Sequence, residues 1–196
     1  MPWLKDLADT TTQNWSAKYP GVPIDPVCVV LHTTETASWP SYSAGGSAPH
    51  FTGKPNPATK RIEWRQHYDT ARSSRALANP AGGVQTNQRG PIQIELCGTS
   101  GWCRRTGATA AQKKITPLWP EAEPWMLAEV GRLLAALHAV HPGLPLTCGV
   151  KFVPYTQSAR LTGAQWNAYP TTPGQGARLR LRITRRRRER PRSLQP

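Results

Sequence analysis

The sequence predicts an α/β domain, and three stretches carry that expectation. Val27–Leu31, within PVCVVLH, is a β-branched and apolar run suited to a buried central strand. In PIQIELCG, Ile92, Ile94 and Leu96 alternate with Gln93, Glu95 and Cys97, so one strand shows an apolar face and a polar one. After Pro120, the residues Met126, Val130, Leu133, Leu134 and Leu137 recur at helical spacing until Pro142-Gly143 stops the run. That stripe should pack on one face of the sheet. A chain of 196 residues fits one domain with a short extension, and 38% hydrophobic residues with eight Trp favour a packed globule over disorder.

In chain order, residues 1–25 read as an irregular lead-in, polar and turn-rich around Pro20, Gly21 and Pro23, and packed by Trp3 and Trp15. The first strand follows and ends at His32. Thr33–Ala48, rich in Ser, Thr, Gly and Pro, reads as a loop with room for a short helix. PHFTG resumes extended structure, Lys60–Tyr68 alternates as a strand, and DTARSSRAL is expected to turn through a short helix. Asn79–Gly90 is a surface loop by composition. After the PIQIELCG strand and the main helix, Thr162 offers an N-cap to a further helix in LTGAQWNAY. The body therefore spans residues 26–169. Residues 170–196 lack aromatic residues and contain four consecutive Arg, and are expected to be a basic disordered tail.

The formal charge of +14 is unevenly placed: nine Arg against one Glu give the tail +8 and leave +6 on residues 1–169. A modestly basic body suits an anionic wall polymer as well as nucleic acid, and no nucleic-acid motif occurs in it. No stretch approaches the run of about 18 apolar residues that a membrane span needs. Asp6 and Asp9 stand where a signal peptide would be apolar, so synthesis in a cytoplasm is expected. Cys28, Cys97, Cys103 and Cys148 show no C-x-x-C spacing and are expected to be reduced, mostly buried thiols. A monomer is expected.

Two residues stand out chemically. His32 ends an apolar strand, where a neutral imidazole is held firmly enough to bind a metal; the plainer reading is a hydrogen-bonded strand-end histidine. Glu95 sits mid-strand opposite core-facing isoleucines, as a general base or simply as a carboxylate on a solvated face.

Taken in order, VVLHTTET, APHF and PIQIELCG resemble the N-acetylmuramoyl-L-alanine amidase family shared by peptidoglycan recognition proteins and phage endolysins. WRQHYDTARSSRAL and FVPYTQSARLTGAQW are similar to segments of actinobacterial phage lysins, so the likeness covers roughly residues 25–169. The resemblance implies a central mixed sheet flanked by helices, with a groove for peptidoglycan at the sheet edge that bears His32. It implies zinc-dependent cleavage of the amide between N-acetylmuramic acid and L-alanine, acting on the cell wall after release if the chain is an endolysin. His32 matches the first zinc ligand, and Glu95 matches the carboxylate that handles the proton of the attacking water. His50 matches a structural or groove histidine. The Tyr that precedes this histidine in some relatives, where it stabilises the tetrahedral intermediate, is replaced by Pro49, so that role does not carry over.

The departure lies at the C-terminal end. Relatives bring in a second His and then an Asp or Cys there, whereas this chain has no His after His141 and no Asp after Asp69. One ligand cannot hold a catalytic zinc, which needs three. His138 and His141, at i and i+3, or Cys148, are substitutes; a histidine interacting with the helix end is the plainer account of the pair. Weak or substoichiometric zinc is expected, and the alternative function is peptidoglycan binding without hydrolysis. Binding of nucleic acid through the Arg tail ranks below both. The break after Tyr169, followed by Arg-, Pro- and Gly-rich sequence, points to a shifted reading frame or a rearrangement.

Overall fold

The computed structural model describes residues 2–76, 86–101 and 109–145, together with a two-residue strand at 180–181. Four six-residue strands form a mixed sheet: β1 (Cys28–Thr33), β2 (Phe51–Asn56), β3 (Arg61–Gln66) and β4 (Pro91–Leu96). With β5 (Arg180–Leu181) the order is β3-β2-β4-β1-β5. β4 runs parallel to β1 and β2, while β2 and β3 form an antiparallel pair. A one-turn helix, α1 (Ala110–Lys113), precedes the long helix α2 (Pro124–Val140). The α/β class is therefore observed.

The alternation in β4 explains how the sheet acquires two unlike faces. Ile92, Ile94 and Leu96 join Val29, Leu31, Phe51, Ile62 and Trp64 in one core cluster with Val130, Leu133 and Leu137 of α2. Leu133 and Leu137 are fully buried, each contributing about 1.5–3 kcal/mol by burial. Pro124 opens α2 at a position where its missing N–H costs nothing, and Glu129 ties the helix to β3 by accepting from Arg61 Nε and Ile62 N at 3.0 and 3.2 Å. The opposite face carries the polar residues of the same strands. A second cluster of Tyr42, Ala48 and Tyr68, joined by Trp15 and Tyr19, is linked to that face where the Tyr42 hydroxyl meets Thr52 at 2.7 Å.

The lead-in covers the outer edge of β3: Asp9 N donates to Trp64 O and Gln66 N to Asp9 O, at 2.9 and 2.8 Å. Such pairing blunts an exposed sheet edge. Two local expectations are corrected. β1 continues through His32 to Thr33. The stretch Asp69–Ala76 forms a turn and an irregular extended segment, with no helix: Asp69 accepts from Ala71 N, and Ser73 N pairs with Val22 O. Those partners come from the lead-in, and long-range backbone pairing overrides local helix propensity. The loop between β1 and β2 is built from turns, with Tyr42, Ser43 and Ala44 at φ of 51°, 52° and 52°. Left-handed geometry at three successive side-chain-bearing residues costs about 1–2 kcal/mol each.

Within the basic tail, Arg180–Leu181 pairs in parallel with Val30–Leu31. The strict alternation of Arg178-Leu-Arg-Leu-Arg-Ile183 is a strand signal at that point. The rest of the expected disordered tail, the helix expected from Thr162, and Cys103 and Cys148 lie outside the described residues. Cys28 and Cys97 are free thiols, Cys97 buried and Cys28 partly so. Among the described residues, no helix is long and apolar enough to cross a membrane.

Gly53 shows how tightly β2 and β3 are joined. A Cβ there would stand 2.4 Å from the Trp64 ring, closer than real contacts allow. Gly53→Ala is expected to lower the unfolding free energy by about 1–3 kcal/mol through overpacking, read as a drop in the urea midpoint. An unchanged midpoint would mean that the Trp64 ring moves aside freely.

Candidate functional site

Strand register assembles the site. His32 pairs with Glu95, Glu95 with Thr52, and Thr52 with Arg65, forming a row across β1, β4, β2 and β3 at one level. Paired residues share a face, so the row lies on the polar side, away from α2. The two residues singled out from the sequence are thus brought together as direct neighbours on adjacent strands.

His32 is 5% exposed and its Nε2 lies 2.7 Å from Gln93 Oε1. An amide oxygen only accepts, so Nε2 carries the proton and Nδ1 the lone pair. Gln93 is itself fully buried, and its Nε2 has no hydrogen-bond partner among the described residues, a cost of about 1–3 kcal/mol. The amide of Gln93 thus sets the tautomer and the orientation of the His32 ring. Glu95 is half-buried between His32 and Thr52.

A chain of hydrogen bonds approaches Glu95 from the other side. His67 Nδ1 donates to Gln13 O at 3.0 Å, so its Nε2 must accept the Thr52 hydroxyl proton at 2.9 Å. Thr52 Oγ1 also meets the Tyr42 hydroxyl at 2.7 Å. Trp15 stacks on the His67 ring at 4.9 Å, and Tyr42 meets it edge-on. Burial lowers His67 to about 4. Burial, and then the charge of nearby Glu95, push the Tyr42 hydroxyl well above its usual range.

His50 is structural. Its Nδ1 accepts from Gln93 N at 2.9 Å and its Nε2 donates to Arg72 O at 2.7 Å, with full burial lowering it to about 4. Glu35, the acid of VVLHTTET, fastens loops together, accepting from Thr33 and Thr99 at 2.7 Å and from Ser100.

Of the suggested substitute zinc ligands, His138 and His141 are engaged elsewhere, while Cys148 lies outside the described residues. His138 Nδ1 holds the Leu144 carbonyl just beyond the end of α2, and His141 Nε2 meets Thr70 Oγ1 at 2.7 Å. Among the described residues no group of three or more His, Cys, Asp or Glu side chains is gathered as a metal would need. His32 lies apart from His138 and His141, bonded to Gln93, and the described residues by themselves do not make a catalytic zinc site.

Several members of the site escaped the sequence reading. His67 and Arg65 follow the alternation of β3 with Glu63, and Thr52 follows that of β2, so their face was deducible in principle. Tyr42 gives no local sign of its place, which depends on the left-handed turn that carries it. No protein-family model, no curated protein and no solved structure matches this chain.

Proposed function

We propose that the chain is a cell-wall amide hydrolase of the N-acetylmuramoyl-L-alanine amidase type, with peptidoglycan bound across the polar face of the sheet. The observation that carries this reading is the β1–β4 register that sets His32 beside Glu95. Glu95 takes the proton of the attacking water and delivers it to the leaving L-alanine nitrogen. Gln93 holds the His32 ring, and the Tyr42 hydroxyl, anchored by Thr52 and His67, supplies a polar group beside the carboxylate. In relatives of this type zinc polarises the scissile carbonyl and activates water; here His32 is the proposed first ligand. No step is assigned to the metal, because the described residues do not complete its site.

A second reading keeps the peptidoglycan groove without hydrolysis. The ligand shortage in the sequence favours it: beyond residue 145 the chain contains neither His nor Asp. One experiment separates the two. The purified chain is incubated with cell walls, and new L-alanine N-termini, reducing ends and bound protein are measured with and without added zinc.

New N-termini without reducing ends support the amidase, and retention on walls without release supports the binder. Failure to bind walls, with or without zinc, would overturn both. Metal analysis is expected to find substoichiometric zinc, and one tightly held Zn²⁺ per chain would reveal ligands beyond His32.

A further inference from the structure

The two outer edges of the sheet are covered to different extents. Along β3 the lead-in lies against the edge, with Asp9 bonded through its backbone to Trp64 and Gln66. On the other side, β1 has six residues, Cys28–Thr33, and β5 pairs with two of them, Val30 and Leu31. A strand edge left open is a template for pairing with other chains, so what covers the rest of β1 bears on the behaviour of the whole domain.

The parallel register Val30↔Arg180 and Leu31↔Leu181, continued two residues in each direction, sets Arg178–Ile183 alongside the full length of β1. Leu179 and Leu181 then stand opposite Val29 and Leu31, which are buried in the core cluster. Arg178, Arg180 and Arg182 fall opposite the alternate positions Cys28, Val30 and His32. A slip of one residue would set arginines opposite the core positions, so the alternation itself selects this register. The pattern also ends where the pairing would end. Pro173-Gly174 and Gly176 precede it, and the four arginines from Arg185 to Arg188 follow Thr184.

We propose that the edge of β1 is the docking site of the chain's own segment Arg178–Ile183, which adds a fifth strand of six residues to the sheet. Backbone bonds to β1 and leucines at the positions opposite Val29 and Leu31 hold the segment in place. Arginines at the alternate positions keep the new outer edge from recruiting a further strand. A terminal segment is ordered once it is tied into a sheet, so this part of the basic stretch is a structural element of the domain.

The test is hydrogen–deuterium exchange of the full chain, read residue by residue by NMR. In a strand paired on one side, every second amide is bonded to its neighbour. Every second amide of Arg178–Ile183 is therefore expected to be protected, together with the amides of β1 that point away from β4. Leu181→Asp should lower that protection by about 10–100-fold, the loss expected for one buried leucine. Leu194→Asp, in the same basic stretch but beyond the segment, should leave it unchanged.

Exchange of residues 178–183 at the rate of a free peptide would overturn the docking, as would equal losses in the two variants. Protection that appears only as concentration rises, together with the mass of a dimer, would assign the edge to a second copy and overturn pairing within the chain. If Leu181→Asp fails to fold, the exchange pattern of the unaltered chain decides by itself.

Discussion

Glu95→Gln is expected to lower any cell-wall amide hydrolysis by about 10²–10⁴-fold, the range for losing a positioned general base, while wall binding persists. The substitution keeps the shape of the side chain and its place between His32 and Thr52 but removes the capacity to take a proton. His32→Ala should differ in kind, abolishing the metal-dependent part of the activity and lowering zinc content, which Glu95→Gln leaves as it was. The measurement is the rate of L-alanine N-terminus release, with metal analysis of each variant. Unaltered turnover in Glu95→Gln would remove the residue from the mechanism. Unaltered zinc content in His32→Ala would remove the ligand.

Acid should destabilise the fold well before carboxylates titrate. His50 and His67 are both lowered from 6.5 to about 4, mainly by burial. Each has a ring nitrogen that accepts a proton-bearing group, Gln93 N–H for His50 and the Thr52 hydroxyl for His67, so protonation breaks a buried hydrogen bond.

Between about pH 6.5 and 4 the unfolded chain binds these protons and the folded chain does not, so stability falls as pH falls through that window. The expected loss approaches about 1.4 kcal/mol per pH unit for each histidine in mid-window. His141, also lowered by burial, adds in the same direction. Urea unfolding at a series of pH values from 7.5 to about 4.5 reads the slope, and His67→Gln should reduce it. A stability that is flat across the window would show that both rings take up their protons in the folded state as they do in the unfolded chain.

Local sequence was sufficient for the elements whose signal is periodic. β1, β4 and α2 were legible because apolar runs and stripes are spacing rules that act within a few residues. The two faces of β4 followed directly, and with them the position of Glu95 away from the core. The segment Asp69–Ala76 was not legible, since its backbone partners Val22 and Ile24 belong to the lead-in. The β5 pair illustrates the converse: an alternating Arg/Leu pattern was present in the tail but outweighed by its composition.

Which residues face the core, and which strands and helix they build, can be read from the spacing of apolar residues, because hydrophobic burial is written in period. Tertiary structure alone decided that His32, Glu95, Thr52 and Arg65 share one row, since strand register is set by pairing between segments far apart in the chain. It alone placed Gln93 against His32 and brought Tyr42 and His67 to Thr52. The physical reason is that each polar residue of the site is chemically ordinary in its own segment. Its function arises from neighbours across the sheet, and those neighbours exist only once the core on the opposite face has fixed the register.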